Sequence, residues 1–137
     1  MSQSASTTRT NIWPALRYRD APAAIRFLTE GLGFEQVAVY PVESDGTIAH
    51  AELRWPGGGG VMLGSDRKDS TISELPAGTG AVYVVTDEPD AVFARAQAAG
   101  ATVVRGLADE GYGSRGFTIR DPEGVHWSFG TYAGRGQ

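Results

Sequence analysis

The chain carries one short module twice. Asp20 and Asp87, Pro22 and Pro89, Ala24 and Ala91, Gly33 and Gly100, and Val37 and Val104 recur at an offset of 67. Further on, Arg54-Trp55-Pro56-x-Gly58 matches Arg120-Asp121-Pro122-x-Gly124 at an offset of 66, the difference being one gapped residue. Each half opens with an apolar strand candidate, Ile12–Tyr18 and Ala81–Thr86. An Asp then caps a helix whose first turn holds a proline, where the missing N–H costs nothing. Ile25, Leu28 and Leu32 lie at helical spacing in the first half, and Val92, Ala96 and Ala99 in the second. Gly33 and Gly100 suit a left-handed helix end. Three strand candidates follow in each half, Phe34–Pro41, Thr47–Trp55 and Gly60–Gly64, then Thr102–Leu107, Arg115–Asp121 and Val125–Tyr132.

The pattern predicts an α+β fold of two tandem βαβββ modules, residues 12–64 and 79–132, joined by a polar linker over 65–78. At 137 residues the chain has material for one core and not for two independent ones, so the modules must share it. Residues 1–11 are Ser/Thr-rich with no apolar stretch of a secretory signal, and a disordered tail is expected there.

Composition narrows the function. The formal charge is −4, and no Lys/Arg cluster offers the basic face that nucleic acid requires. No apolar run reaches the roughly 18–20 residues of a membrane span. There are no cysteines, which removes disulfides, thiolate nucleophiles and Cys-based zinc sites. With no export signal, the cytoplasm is the expected location. The 19 glycines exceed the usual ~7% share, and many fall at helix ends, hairpins and the loop before Arg115. The Gly57–Gly60 run reads as a hairpin, since no Lys-Ser/Thr and no helix follow it. Asp121, Pro122 and Gly124 read as a turn.

Chemistry-bearing residues are few. His50 shares a strand face with Glu52 and Arg54, and a carboxylate beside a histidine can orient it as a general base. A solvated strand face has the same appearance. Tyr112 and Arg115 lie in a Gly-rich approach to a strand, where Arg115 could fork onto a carboxylate or phosphate or could hold the loop.

Several local signatures carry a resemblance. They are Leu16-Arg17-Tyr18-Arg19-Asp20-Ala21-x-x-Ala24-Ile25-x-Phe27, Gly31-Leu32-Gly33-Phe34 and His50-Ala51-Glu52-Leu53. The most specific is Tyr112-Gly113-Ser114-Arg115-Gly116-Phe117-x-Ile119-Arg120-Asp121-Pro122-Glu123-Gly124-x-His126-Trp127. In order and spacing they resemble the vicinal oxygen chelate superfamily, which spans glyoxalases, bleomycin-resistance proteins and extradiol dioxygenases. The resemblance implies strands curled into an open, strongly curved mixed sheet around a cleft, and a homodimer. Metal-dependent members place His, Gln or Glu at four cleft-facing positions. Carried over, these positions fall on Trp13, Met62, Gly80 or Ala81, and Ser128. Such side chains cannot build the N/O shell of a divalent metal, so no metal ligands and no cofactor are expected.

The implied function is metal-independent binding of a small organic molecule, resembling bleomycin-type drug sequestration in antibiotic resistance. Trp13, Met62, Tyr112, Arg115, His126 and Ser128 are the candidate ligand contacts. His126 shares strand parity with Ser128 and therefore its face, whereas Trp127 has the opposite parity and is expected in the core. The rival is a lyase, isomerase or dioxygenase, with a divalent metal held by other ligands or with His126 or the His50–Glu52 pair as base.

Overall fold

The computed structural model describes residues 10–66, 75–111 and 113–134. Residues 1–9 of the expected tail, 67–74 of the expected linker, and Tyr112 lie outside the described residues. The first module runs β1 (Ala15–Tyr18), α1 (Ala21–Arg26), a π-helical continuation (Phe27–Leu32), β2 (Glu35–Pro41), β3 (Ile48–Arg54) and β4 (Gly60–Ser65). The second runs β5 (Ala81–Val85), α2 (Pro89–Ala98), β6 (Thr102–Asp109), β7 (Arg115–Arg120) and β8 (His126–Gly130). Each module folds into its own four-stranded mixed sheet, ordered β1-β4-β3-β2 and β5-β8-β7-β6. The first strand of each pairs in parallel with the last, and the other pairs are antiparallel. The duplicated α+β plan is therefore present as two open sheets.

The helix ends follow the expected chemistry in one module and depart from it in the other. Asp20 accepts from the Ala23 N–H at 3.1 Å, and Gly33 closes the π segment at φ 103°. In the second module Asp87 is not the cap. The helix starts one residue later, at Glu88, whose side chain makes no capping bond, and its N–H donates instead to Thr86 Oγ1 at 3.1 Å. Pro89 is the first helical residue, where its missing N–H leaves no intrahelical bond unmade.

Alternation along each strand sends one set of side chains into a single shared core. Leu16 and Tyr18, Ala51 and Leu53, and Val61 and Leu63 come from the first sheet; Phe117 and Ile119, and Trp127 and Phe129, come from the second. Trp127 is fully buried, as its parity implied. Phe34 bridges the modules, with ring centroids 5.0 Å from Trp55 and 5.5 Å from Trp127. The helices meet where Gly31 faces Ala99, and a Cβ on Gly31 would lie 2.7 Å from the Ala99 Cβ. Glycine is required there for approach. Arg95 ties the same contact by donating to the Glu30 carbonyl at 2.9 Å.

Two turns stitch the modules together. Asp121, buried at the end of β7, accepts from Tyr18 Oη at 2.5 Å and Trp127 Nε1 at 3.0 Å. It also accepts from the backbone N–H groups of Glu123, Gly124 and Val125. Burial, with the Asp121 charge next, pushes the Tyr18 phenol far above its ordinary range. Glu123 completes the stitch by accepting from the Arg19 and Asp20 N–H groups, both at 2.7 Å. At the other end, Trp55 Nε1 donates to the Val85 carbonyl at 3.1 Å.

Candidate functional site: two open half-cups

The core takes one face of each sheet, and the other face of each remains open. On the first sheet, register places Ala15, Met62, Glu52 and Ala38 side by side in one row. In the neighbouring row Tyr40 pairs with His50, and Arg17 with Gly64. His50 Nε2 lies 2.9 Å from Glu52 Oε2, and the Tyr40 ring stacks on the imidazole at 6.1 Å between centroids. The expected His50–Glu52 contact therefore exists, half-buried and backed by an aromatic ring. Trp13 precedes β1, donates to the Thr10 carbonyl at 3.1 Å, and lies so close to Gly60 that a Cβ there would sit 2.8 Å from its ring.

On the second sheet, Tyr83, Ser128, Thr118 and Arg105 form one row across all four strands. Ala81, His126, Arg120 and Thr102 form the next. Of Gly80 and Ala81, it is Ala81 that lies level with His126 on the open face. Ser128 Oγ is 2.7 Å from Thr118 Oγ1. His126 is exposed, with Nδ1 3.2 Å from the Gly124 carbonyl. Ser128 and His126 are thus on one face, while His50 and His126 are on different sheets and do not converge. Among the described residues, no three His, Cys, Asp or Glu side chains group closely enough to hold a metal ion.

Arg115 goes elsewhere. Its strand parity matches Phe117 on the core side, and its guanidinium forks onto both Asp90 oxygens, at 2.8 and 3.0 Å, and reaches Asp109 at 3.2 Å. Those hydrogen bonds hold the Asp90 carboxyl below its ordinary range. Arg115 thereby fastens the start of α2 to the β6–β7 hairpin.

The second half-cup contains residues that sequence reasoning did not single out. A hollow of about 200 Å³ is bounded by Tyr83, Arg105, Glu110, Thr118 and Ser128. Arg105 and Glu110 form an ion pair along its wall. Tyr83 donates to the Tyr132 carbonyl at 2.7 Å and lies over Gly130, where a Cβ would meet the phenol oxygen at 2.7 Å. Finding these residues required knowing which strands are neighbours; only Ser128, on β8, was legible from spacing. A second hollow, a groove of about 860 Å³, follows the seam between the Trp55–Gly60 turn and β5, with Phe34, Val61, Val82 and Val84 on its apolar side.

Comparison with known proteins agrees with this architecture. The family model described as Glyoxalase/Bleomycin resistance protein/Dioxygenase superfamily matches residues 12–129. An uncharacterized protein of Mycobacterium tuberculosis strain H37Rv is 35% identical over 93% of this chain and 80% of its own length. The crystal structure of TioX from Micromonospora sp. ML1 is 33% identical, with a TM-score of 0.75 over 89% of this chain and 98% of that one. A glyoxalase/bleomycin resistance protein from Streptomyces sp. CB03234, 23% identical with a TM-score of 0.64 over 88% of this chain and 98% of that one, shares the fold.

Proposed function

Because the chain belongs to the glyoxalase/bleomycin resistance protein/dioxygenase superfamily, we propose that it binds a small organic molecule in its cleft without a metal ion. The reading is drug sequestration of the bleomycin-resistance type, with a role in antibiotic resistance. Its support is the chemistry at the four positions where metal-dependent members carry ligands. Trp13, Met62, Ala81 and Ser128 offer an indole, a thioether, a methyl and one hydroxyl, which grip an organic surface better than a hard cation.

A second copy of the chain is the proposed partner. The hollow of about 200 Å³ falls below the ~300–1,000 Å³ of an ordinary small-molecule site, so a half-cup calls for a facing wall. The open faces also leave Tyr40 59% and Tyr83 48% exposed, aromatic surface that a facing copy would cover. No described helix is long and apolar enough to cross a membrane, and the cytoplasm is the proposed location.

Thermal melts across a panel of organic compounds, with and without chelator, test the reading. The expected result is a ligand-dependent rise in Tm that chelation leaves unchanged. Stoichiometric Ni, Zn, Mn or Fe in the native protein would overturn it. The enzymatic reading has one specific observation in its favour, the 2.9 Å His50–Glu52 hydrogen bond. There His50 acts as general base, and His50→Ala abolishes turnover of the substrate while leaving its binding intact.

A further inference from the structure

Resting on the cleft-binding reading, we infer that the second half-cup takes the head of a small zwitterion, an α-amino acid in which ammonium and carboxylate sit on one carbon. The structure offers three matched features. First, Arg105 and Glu110 are both on the wall of the hollow and paired with each other, so the site presents a positive and a negative group side by side. A zwitterion laid antiparallel to that pair sets carboxylate against Arg105 and ammonium against Glu110. All four charges are then compensated.

Second, the pair discriminates against a ligand carrying only a carboxylate. A lone carboxylate that draws Arg105 away leaves Glu110, which is 20% exposed at its side chain, without its counter-charge. Arg105, 50% exposed at its side chain, is solvated when its partner is drawn away, so the penalty falls on the Glu110 side. A ligand that supplies an ammonium there together with a carboxylate for Arg105 is therefore favoured over a lone carboxylate.

Third, the hydroxyl accounting leaves one donor over. Thr118 Oγ1 and Ser128 Oγ are 2.7 Å apart, so one O–H is spent between them. The other O–H is available to an acceptor in the hollow, and a carboxylate oxygen held by Arg105 from the same row supplies one. The hollow, about 200 Å³, suits a compact head, and the rest of the ligand extends toward the open face.

Titration calorimetry on the full chain decides the matter. Glycine, L-alanine and L-serine are compared with their amides and methyl esters, which keep only the cation, and with acetate and propionate, which keep only the anion. The expected result is at least tenfold tighter binding of the zwitterions than of either single-charge set. Arg105→Gln and Glu110→Gln should each weaken zwitterion binding at least tenfold, and Thr118→Val by a smaller factor. Unchanged circular dichroism keeps folding out of the comparison, and Thr118→Val serves if a charge variant fails to fold. Equal affinity for acetate or for the methyl esters overturns the inference, as does undiminished binding by the variants. If no zwitterion binds while other organic compounds still raise Tm, the inference fails and the cleft reading stands. If nothing in either panel binds, both fall.

Discussion

The two turns that join the modules occupy equivalent places in the repeat and have opposite chemistry. Asp121-Pro122-Glu123-Gly124 crosses to the first module with two carboxylates. Asp121 takes the Tyr18 phenol, and Glu123 takes two backbone N–H groups at the start of α1. Trp55-Pro56-Gly57-Gly58 crosses to the second module with an indole, which packs 5.7 Å from Phe129 and donates once, to Val85. Where the first turn has Glu123, the second has Gly57, and the seam there opens into the groove of about 860 Å³. One end of the interface is sealed by the buried hydrogen bonds of Asp121, with those of Glu123 at its exposed edge. The other is held by aromatic packing and left hollow.

Asp121→Ala should produce the largest break in this comparison. It strands the Tyr18 hydroxyl, the Trp127 indole N–H and the Glu123 and Val125 N–H groups, most of them in the core, while Gly124 N–H keeps the Asp121 carbonyl, with an expected loss of about 3–5 kcal/mol in urea unfolding. A loss below about 1 kcal/mol would mean that water reaches these groups and that the sealed end is not sealed. Trp55→Ala comes next. The ring is half-buried and touches Phe34 and Phe129, so about 2–3 kcal/mol should be lost, mostly as packing. Because the change enlarges the groove, its unfolding m-value should match the parent's if the modules still unfold as one unit. Gly57→Glu is the smallest and most discriminating change, since it copies the sealed turn into the hollow one. A Cβ there meets only the Trp55 ring, at 3.4 Å, so the side chain fits. Asp87 and Glu88 line the same groove and repel a new carboxylate. The expected shift is therefore within about 0.5 kcal/mol. A gain above about 1 kcal/mol would show that the two ends differ only by one missing side chain.

The pattern of elements was legible because it was written twice. Strand and helix positions followed from the repeated Asp-x-Pro and Gly signals, and strand parity alone sorted Trp127 into the core and His126 and Ser128 onto the open face. The π-helical stretch after α1 left no such mark, because Ile25, Leu28 and Leu32 stand at ordinary α-helical spacing across it. Arg115 shows where spacing stops being informative. Its loop pointed equally to ligand capture and to loop anchoring, and only the approach of Asp90 from α2, 25 residues earlier in the chain, occupies its fork. Asp121 was legible as a turn residue but not as the buried acceptor of five hydrogen bonds, since Tyr18 lies 103 residues away. Tyr83, Arg105 and Thr118 were invisible as a group for the same reason.

The sequence by itself determined the duplicated βαβββ plan and carried the resemblance to the superfamily. The plan rests on local periodicity and on matches at offsets of 67 and 66, and the resemblance rests on ordered local motifs, all of which survive without coordinates. Tertiary structure alone decided which rows of side chains face one another on the open sheets. It also decided which end of the seam is closed and where Arg105 meets Glu110. Strand neighbours far apart in sequence bring those groups together, and a pairing register between distant strands is set by the packing of the whole core rather than by any residue within them.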